Sequence, residues 1–334
     1  MIYLITGIAG FIGSALAHEL VARGETVRGI DNFSTGRREN LAGIAREIDL
    51  REFDLARPSR QLDAACKGVH YILHQAALPS VPRSVADPLS SNRNNVDGTL
   101  NLLLAAKKNW EQDRRLKRVV YAGSSSAYGD TPTLPKHEAM PPSPISPYAV
   151  AKLAGELYMQ SFYRCYGLET VTLRYFNIFG PRQDPTSQYS GVMSKFITAM
   201  LHGDAPVIYG DGEQSRDFTY VDNAVLANLL ACEAPAPQAA GKVFNIASGN
   251  RVELNQTFAA LKKLTGFAGE AKHAPPRSGD IRHSLADISL AKRYLGYEVQ
   301  VDFEEGLQRT VEWYRDSLAA AKRPRPKATA RARA

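Results

Sequence analysis

The feature that most limits the fold of this chain is an alternation of short β-branched runs with amphipathic stretches. Apolar runs of strand length lie at Ile2–Thr6, Thr26–Ile30, Val69–His74, Arg118–Ala122, Thr170–Tyr175 and Lys242–Ala247. Helical patterns lie between them at Ser14–Arg23, Val96–Lys107 and Pro147–Tyr166. This order is typical of βαβ units joined by right-handed crossovers. We therefore expect an α/β fold with a doubly wound parallel sheet of the Rossmann type, whose ligand crevice lies at the carboxyl ends of the strands.

The texture of the sequence changes after about residue 178, where Pro, Gly, Tyr and Asp become frequent. We interpret residues 1–177 as a dinucleotide-binding domain, to which a strand near 242–248 returns. Residues 178–320 are interpreted as a smaller C-terminal lobe that binds the substrate. Residues 321–334 are basic and poor in apolar side chains, so we expect a disordered tail.

The net charge of +7 is concentrated at the C-terminal end of the chain. Six cations and no acid lie in the last thirteen positions: Lys322, Arg323, Arg325, Lys327, Arg331 and Arg333. Without them the chain is nearly neutral, which argues against a nucleic-acid partner, because such binding needs a basic face on the fold itself.

The cysteines and the apolar segments point to a cytoplasmic protein. Cys66, Cys165 and Cys232 are scattered, with no spacing typical of a metal site or a disulfide framework. No apolar run approaches the roughly 20 residues of a membrane span, and because Met1 is followed directly by an apolar strand we expect no signal peptide. We expect neither a metal nor a membrane partner.

A glycine-rich turn, TGIAGFIG, lies between the first strand and the first helix. Gly7 permits the tight turn, Gly10 lets a pyrophosphate approach the backbone, and Gly13 allows close helix–strand packing. Asp31 follows about 20 residues later, where an acid accepts hydrogen bonds from the adenosine ribose. Because a carboxylate repels a 2′-phosphate, the pattern predicts NAD rather than NADP.

Tyr148 and Lys152 are four residues apart and would share one face of a helix. Taken alone, this spacing is more often an ordinary surface pair. A free tyrosine has a pKa of about 10, which a nearby cation together with a positive nicotinamide would lower toward that of a working base. The preceding strand ends in Ser124, Ser125 and Ser126, which could supply a hydroxyl to the same oxygen or form a polar turn.

With these motifs in order, the chain resembles the extended short-chain dehydrogenase/reductase family, specifically its nucleotide-sugar 4-epimerase branch. The resemblance covers about residues 1–315 and is strongest toward enzymes of UDP-N-acetylhexosamines and their uronic-acid relatives. The blocks that carry it are TGIAGFIG, DNFSTG, HQAA, NNVDGTLNLL, SSSAYGD, SPYAVAK, LRYFNIFGPRQDP, GDGEQSRDFTYVDN and RSGDIRHSLAD.

The resemblance implies a set of site residues. The implied catalytic residues are Ser124, Tyr148 and Lys152. The implied cofactor-binding residues are Gly7, Gly10, Phe11, Ile12, Gly13, Asp31, Asn32, Ser34, Thr35, Gly36, Asp54, Leu55, Ala76, Ala77, Asn94, Tyr148, Lys152 and Tyr175. The implied substrate-binding residues are Ser125, Ser126, Asn177, Val192, Arg216, Arg277, Asp280 and Ser284. The segment between the serines and Tyr128 is short compared with the glucose/galactose enzymes, which leaves the choice among the three serines open by one position.

The implied reaction is NAD-dependent epimerisation at C4 of a UDP-hexose, through hydride removal, a 4-keto sugar and hydride return. The small Ser284, four positions after Asp280, implies room for an acetamido group and hence UDP-GlcNAc and UDP-GalNAc, with UDP-glucose and UDP-galactose as a further pair. On a second interpretation, Ser284 only caps a turn.

The same fold is compatible with other functions. A UDP-uronate 4-epimerase and a non-catalytic NAD-binding sensor stay open as alternatives. Related dehydratases and decarboxylases carry an acid directly after the catalytic Ser/Thr, where this chain has Ser125 and Ser126. A homodimer is expected, because the helices near Val96–Lys107 and Pro147–Tyr166 are apolar on more than one side.

Overall fold

The computed structural model describes residues 1–184, 191–276 and 281–322, with side chains described as far as residue 319. Two residues of the implied substrate site, Arg277 and Asp280, lie outside these ranges, as does the chain beyond Lys322. The predicted tail from residue 321 therefore falls almost entirely outside the described residues, except that the last helix includes its first two positions.

Short strands and helices alternate along the described chain. The strands are β1 (Ile2–Thr6), β2 (Thr26–Asp31), β3 (Ile48–Glu52), β4 (Tyr71–His74), β5 (Arg118–Ser124), β6 (Thr170–Tyr175), β7 (Ile178–Phe179), β8 (Val207–Tyr209), β9 (Ser215–Arg216), β10 (Thr219–Tyr220), β11 (Lys242–Ile246), β12 (Val252–Glu253) and β13 (Lys272–Ala274). The helices are α1 (Phe11–Ala22), α2 (Arg60–Cys66), α3 (Val81–Ala86), α4 (Pro88–Asn92), α5 (Gly98–Asp113), α6 (Pro147–Tyr166), α7 (Val192–His202), α8 (Val221–Glu233), α9 (Ala236–Ala239), α10 (Leu254–Thr265), α11 (Ser289–Leu295) and α12 (Phe303–Lys322).

The central sheet has the strand order β11-β6-β5-β4-β1-β2-β3, and every neighbouring pair is parallel. This confirms the predicted doubly wound α/β fold. The chain runs from β1 outward through β2 and β3, and then crosses back to β4 on the other side of β1. The direction of winding thus reverses between β1 and β4, and in such sheets ligands bind at the carboxyl ends of the strands at this reversal.

The sheet is buried on both faces, which explains the continuous apolar runs of its central strands. Successive side chains of a strand point to opposite faces. Accordingly, Leu4, Ile72 and Val119 pack into one core cluster. Their neighbours Ile5, Leu73 and Val120 pack into the other.

The edge strand β3 was missed by the sequence analysis. Its sequence IDLRE alternates apolar and charged residues, and only Ile48 is fully buried. An edge strand that is partly exposed has no continuous apolar run, which was the pattern used to find the other strands.

After β6, the chain forms short two-stranded pairs outside the central sheet: β7 with β10, β8 with β13, and β9 with β12. Helices α7, α10 and α12 contact one another beside them. Strand β11 then returns to the central sheet and pairs with β6.

No helix in the described ranges combines the length and apolar character needed to cross a bilayer. Within the same ranges, no group of three or more His, Cys, Asp or Glu side chains is arranged to hold a metal ion.

Candidate active site

A cleft of about 900 Å³ lies at the carboxyl ends of the central strands. All of the residues implied for cofactor binding line it, from Gly7 after β1 to Tyr175 at the end of β6. Of the residues implied for the substrate, Asn177 lines the same cleft. Thus segments far apart in the sequence meet where the winding of the sheet reverses.

The floor of the cleft is the glycine turn between β1 and α1. Gly7 has a φ of +67°, which favours glycine. A Cβ on Gly13 would lie 2.1 Å from the Gly7 carbonyl oxygen, so a side chain cannot be accommodated there. Helix α1 begins at Phe11, and its first N–H groups lack partners within the helix. A bare turn at a helix N-terminus is suited to bind a pyrophosphate.

Asp31 is fixed beside this turn. Its Oδ2 accepts a hydrogen bond from the Ala9 N–H at 2.8 Å, and its Oδ1 accepts one from the Phe33 N–H at 2.8 Å. Burial raises the pKa of the carboxyl, while the N–H groups of Phe33 and Ala9 oppose this rise. The carboxylate is therefore held rigidly at the cleft wall, where it can accept hydrogen bonds from a ribose. The glycine turn and this acceptor together fit a dinucleotide.

Tyr148 and Lys152 are on α6, whose start was predicted correctly. The Ser146 hydroxyl accepts a hydrogen bond from the Ala149 N–H at 3.1 Å, and Pro147 occupies the first helical position. Both features stabilise a helix N-terminus. One turn separates Tyr148 from Lys152, and both side chains line the cleft.

Burial dominates the electrostatics of this pair. It lowers the pKa of Lys152 to about 7, and the ammonium lies 4.5 Å from the centre of the Tyr121 ring. Burial also raises the pKa of Tyr148, and a hydrogen bond from Ser124 opposes that rise. The sequence analysis expected a lowered pKa for this tyrosine. Among the protein's own groups, desolvation of the phenolate outweighs the effect of the nearby side chains, so the pKa of Tyr148 is raised instead.

Among the three serines, Ser124 is the one whose hydroxyl lowers the pKa of Tyr148, against the rise that burial causes. Ser124 ends β5, and its Oγ also lies 2.8 Å from the Ser126 Oγ. The Ser126 N–H donates to the same Ser124 oxygen at 3.2 Å. Ser125 and Ser126 enter a 3₁₀ turn, and none of the three serines is among the residues that line the cleft. The geometry therefore favours Ser124 as the hydroxyl partner of Tyr148.

Of the other implied substrate residues within the described ranges, Ser284, Arg216 and Val192 do not line the cleft. The Ser284 N–H donates to the Ser215 carbonyl at 3.0 Å, and the Arg216 guanidinium donates to the same carbonyl at 3.0 Å. Asn177 donates through Nδ2 to the Asp217 carbonyl at 3.3 Å. Val192 is the first residue of α7.

Comparison with known proteins identifies the family. The sequence pattern of the NAD dependent epimerase/dehydratase family matches residues 3–247. This chain belongs to that family. The predicted resemblance is therefore confirmed, as is NAD as the cofactor.

Three relatives show the extent of the similarity. A UDP-N-acetylglucosamine 4-epimerase from Methanobrevibacter ruminantium, solved in complex with UDP-N-acetylmuramic acid, is 42% identical and superposes with a TM-score of 0.88 over 94% of this chain and 98% of that one. A UDP-glucose 4-epimerase from Thermotoga maritima, solved with UDP-glucose, is 39% identical with a TM-score of 0.89, over 95% and 100% of the chains. The UDP-glucose 4-epimerase of Mycolicibacterium smegmatis is 38% identical over 94% of this chain and 98% of its own length.

The cleft is supported by a buried chain of hydrogen bonds that the sequence analysis missed. Thr6 Oγ1 lies 2.7 Å from His74 Nδ1, and His74 Nε2 lies 2.9 Å from Thr99 Oγ1. Thr6 Oγ1 also accepts the Ala76 N–H at 3.2 Å. Burial, and then the charge of Lys152, lower the pKa of His74 to about 3, so this histidine is neutral. These hydrogen bonds fix the carboxyl ends of β1 and β4. Gly7 and Ala76, which follow these strands, line the cleft.

A second supporting cluster orients Tyr175. Its hydroxyl donates to Gln75 Oε1 at 3.3 Å and accepts a hydrogen bond from Asn228 Nδ2 at 2.7 Å. Gln75 in turn donates to Asn228 Oδ1 at 3.0 Å. The three side chains close a ring of hydrogen bonds that connects α8 to the cleft.

The sequence analysis also missed the residues that cover the cleft from the C-terminal side. Arg182, Gln183 and Asp184 line it, although they follow β7 and lie outside the central sheet. Asp184 Oδ1 pairs with Arg37 Nη1 at 3.1 Å across the cleft. The block containing GPRQDP was noted for its resemblance, but nothing in its spacing indicated this contact.

Proposed function

We propose that this chain is an NAD-dependent UDP-hexose 4-epimerase that acts through Ser124, Tyr148 and Lys152. The observation that carries the proposal is that Tyr148 and Lys152 lie one helical turn apart at the wall of the NAD cleft, with Ser124 acting on Tyr148 from the end of β5. The names of the three relatives described above support the same activity.

In the proposed reaction, Tyr148 removes the proton of the C4 hydroxyl and later returns one to the 4-keto sugar. The glycine turn and Asp31 would hold NAD, which would supply a reversible hydride acceptor for C4. Ser124 donates a hydrogen bond that stabilises the phenolate. Lys152 stabilises the same negative charge when protonated, and with a pKa of about 7 it is protonated in part at neutral pH. The buried setting strengthens both interactions, because the local dielectric is low.

UDP-GlcNAc and UDP-GalNAc are the proposed substrates. Ser284 is buried, and its main chain is held to Ser215, next to the cation Arg216. A small side chain at this position leaves space beside a sugar for an acetamido group, and an arginine can neutralise a diphosphate with forked hydrogen bonds. Arg277 and Asp280, outside the described residues, are proposed to complete the UDP site, together with Asn177 and Val192.

The proposed substrate can be tested by incubating the enzyme with UDP-GlcNAc, UDP-glucose and UDP-GlcA and reading the C4 configuration by NMR. We expect equilibration of UDP-GlcNAc with UDP-GalNAc. Inversion of UDP-GlcA alone would instead favour a uronate epimerase, and no turnover of any sugar despite bound NAD would favour a sensor.

Replacing Ser284 by Tyr tests the specificity assignment. The larger side chain should overfill the site for acetamido sugars by ~1–3 kcal/mol, which lowers their kcat/KM roughly 5- to 150-fold and largely spares UDP-glucose. Ser284→Ala keeps the site small and serves as the matched control. If Ser284→Tyr lowers kcat/KM equally for both sugar pairs, Ser284 is a structural residue and the preference for acetamido sugars loses its support.

We also propose the division of the chain into an NAD-binding domain, residues 1–177 with β11, and a substrate lobe, residues 178–320. The pairing of β11 with β6 and the separate small strand pairs after Ile178 support it.

A homodimer is proposed through α5 and α6. Leu104 on α5 is 51% exposed, and Val150 and Leu157 on α6 are 53% and 54% exposed. Val150 and Leu157 are seven residues apart and therefore share one face of α6, and α5 packs against α6. Leu89 on α4, which also contacts α6, is 77% exposed. A contiguous apolar surface of this kind is typical of a protein interface.

A cytoplasmic location is proposed from the thiols. Cys66, Cys165 and Cys232 are all free, and two of them are buried. Unpaired cysteines are typical of a reducing compartment.

A further inference from the structure

The segment that follows β7 has an unusual backbone. Asn177, Gly180 and Arg182 have φ values of 32°, 152° and 69°. A positive φ is uncommon for a residue with a side chain, and it persists where surrounding contacts require it. Arg182, which has one of these positive φ values, lines the NAD cleft.

The Arg182 guanidinium is half-buried and incompletely bonded. Its Nε is buried and has no hydrogen-bond partner among the described residues. Burial lowers the pKa of Arg182, and the charges of Asp222 and Tyr220 oppose this. A guanidinium nevertheless remains charged in proteins. A cation withdrawn from water needs an anion or other hydrogen-bond acceptors to offset the lost hydration.

Two contacts hold this segment against the glycine turn. Asp184, two residues after Arg182, pairs with Arg37 at 3.1 Å. The Arg37 N–H in turn donates to the Ala9 carbonyl, within the turn, at 2.9 Å. These two contacts place the segment that carries Arg182 beside the glycine turn, which precedes the N-terminus of α1.

We propose that Arg182 binds the pyrophosphate of NAD, so that a residue outside the nucleotide-binding domain completes the cofactor site. The N-terminus of α1 would face the two phosphates from one side and the guanidinium from the other. An arginine suits this role because its planar fork matches phosphate oxygens. The inference rests on the NAD dependence of the family and not on the identity of the sugar.

The test uses the full chain freed of bound dinucleotide and titrated by calorimetry with NAD⁺, ADP and adenosine. Arg182→Met removes the charge but keeps an unbranched side chain and the same strained backbone, which a glycine would relax. We expect NAD⁺ and ADP to bind roughly 10- to 100-fold more weakly, the loss typical of a charge-assisted hydrogen bond, and adenosine to bind as in the wild type.

Asp222→Asn is the matched control, because it removes the acid that acts on Arg182 but leaves the cation in place. It should preserve ADP affinity. Unchanged ADP affinity in Arg182→Met would overturn the proposal. An equal loss of affinity for adenosine and for ADP in Arg182→Met would also overturn it. If Asp222→Asn showed the same loss and the same fall in melting temperature, Arg182 would act by stabilising the fold and not by binding phosphate.

Discussion

Removing the buried cation of Lys152 should stabilise the protein. Lys152 is 3% exposed, and burial lowers its pKa from 10.5 to about 7. An unfolded chain would hydrate the same ammonium fully, so the folded state bears the cost of keeping it out of water. Lys152→Met retains the length of the apolar stem and removes the charge. It should abolish most turnover and raise the free energy of unfolding.

The size of the effect follows from the pKa. One pH unit corresponds to about 1.36 kcal/mol, so the buried cation costs about 5 kcal/mol at pH values well below 7. Between about pH 7 and 10.5, Lys152 is protonated in the unfolded chain but neutral in the folded protein. The free energy of unfolding of the wild type therefore rises with pH in this window. The advantage of Lys152→Met should fall to about 2 kcal/mol at pH 9 and vanish above about pH 10.5.

The assay is denaturant unfolding of the cofactor-free full chain at pH 6, 7 and 9, with reversibility checked at each pH. Lys67→Met, at an exposed position, is the control and should change stability by less than about 0.5 kcal/mol. A Lys152→Met variant that is less stable than wild type at pH 6, or whose stability advantage does not decline toward pH 9, would contradict this prediction.

Three further predictions concern the cofactor, the core and the assembly. Asp31→Ala should weaken NAD⁺ and narrow its advantage over NADP⁺ in calorimetry; an unchanged ratio would mean that another residue reads the ribose. Glu156 and Arg174 form a buried pair at 2.6 Å, each 3% exposed. Glu156→Leu should cost ~3–5 kcal/mol in denaturant unfolding, and adding Arg174→Met should recover most of it; a double variant as unstable as the single one would contradict this. Leu157→Glu should shift the protein toward a monomer in sedimentation, and a wild type that is already monomeric would exclude the dimer.

The sequence predicted elements whose signals are local. Helix α6 begins and ends where expected, because Ser146 and Pro147 mark its start and Gly167, with a φ of +76°, follows its end. Helix α5 instead extends to Asp113, six residues beyond the expected end. Its last turns are polar and so lack the apolar period used to find helices.

The parts that the sequence could not predict depend on long-range contacts. Arg37 and Asp184 are 147 residues apart and meet only because the segment after β7 folds over the cleft. Arginine rarely adopts a positive φ, so nothing in the sequence indicates the φ of 69° at Arg182. The roles assigned to individual site residues stay predictions, although the fold brings the implied cofactor residues together.

The proposed epimerisation by hydride removal and return is tested most directly by following the hydrogen at C4 of the sugar. UDP-GlcNAc is incubated in D₂O with wild type, Tyr148→Phe and the control Tyr166→Phe, at an exposed position on the same helix, and the products are read by NMR. We predict UDP-GalNAc that retains protium at C4, with a rate lowered ~10²–10⁴-fold in Tyr148→Phe and unchanged in Tyr166→Phe. Deuterium at C4, loss of water from the sugar, or near-normal turnover by Tyr148→Phe would contradict the proposed mechanism.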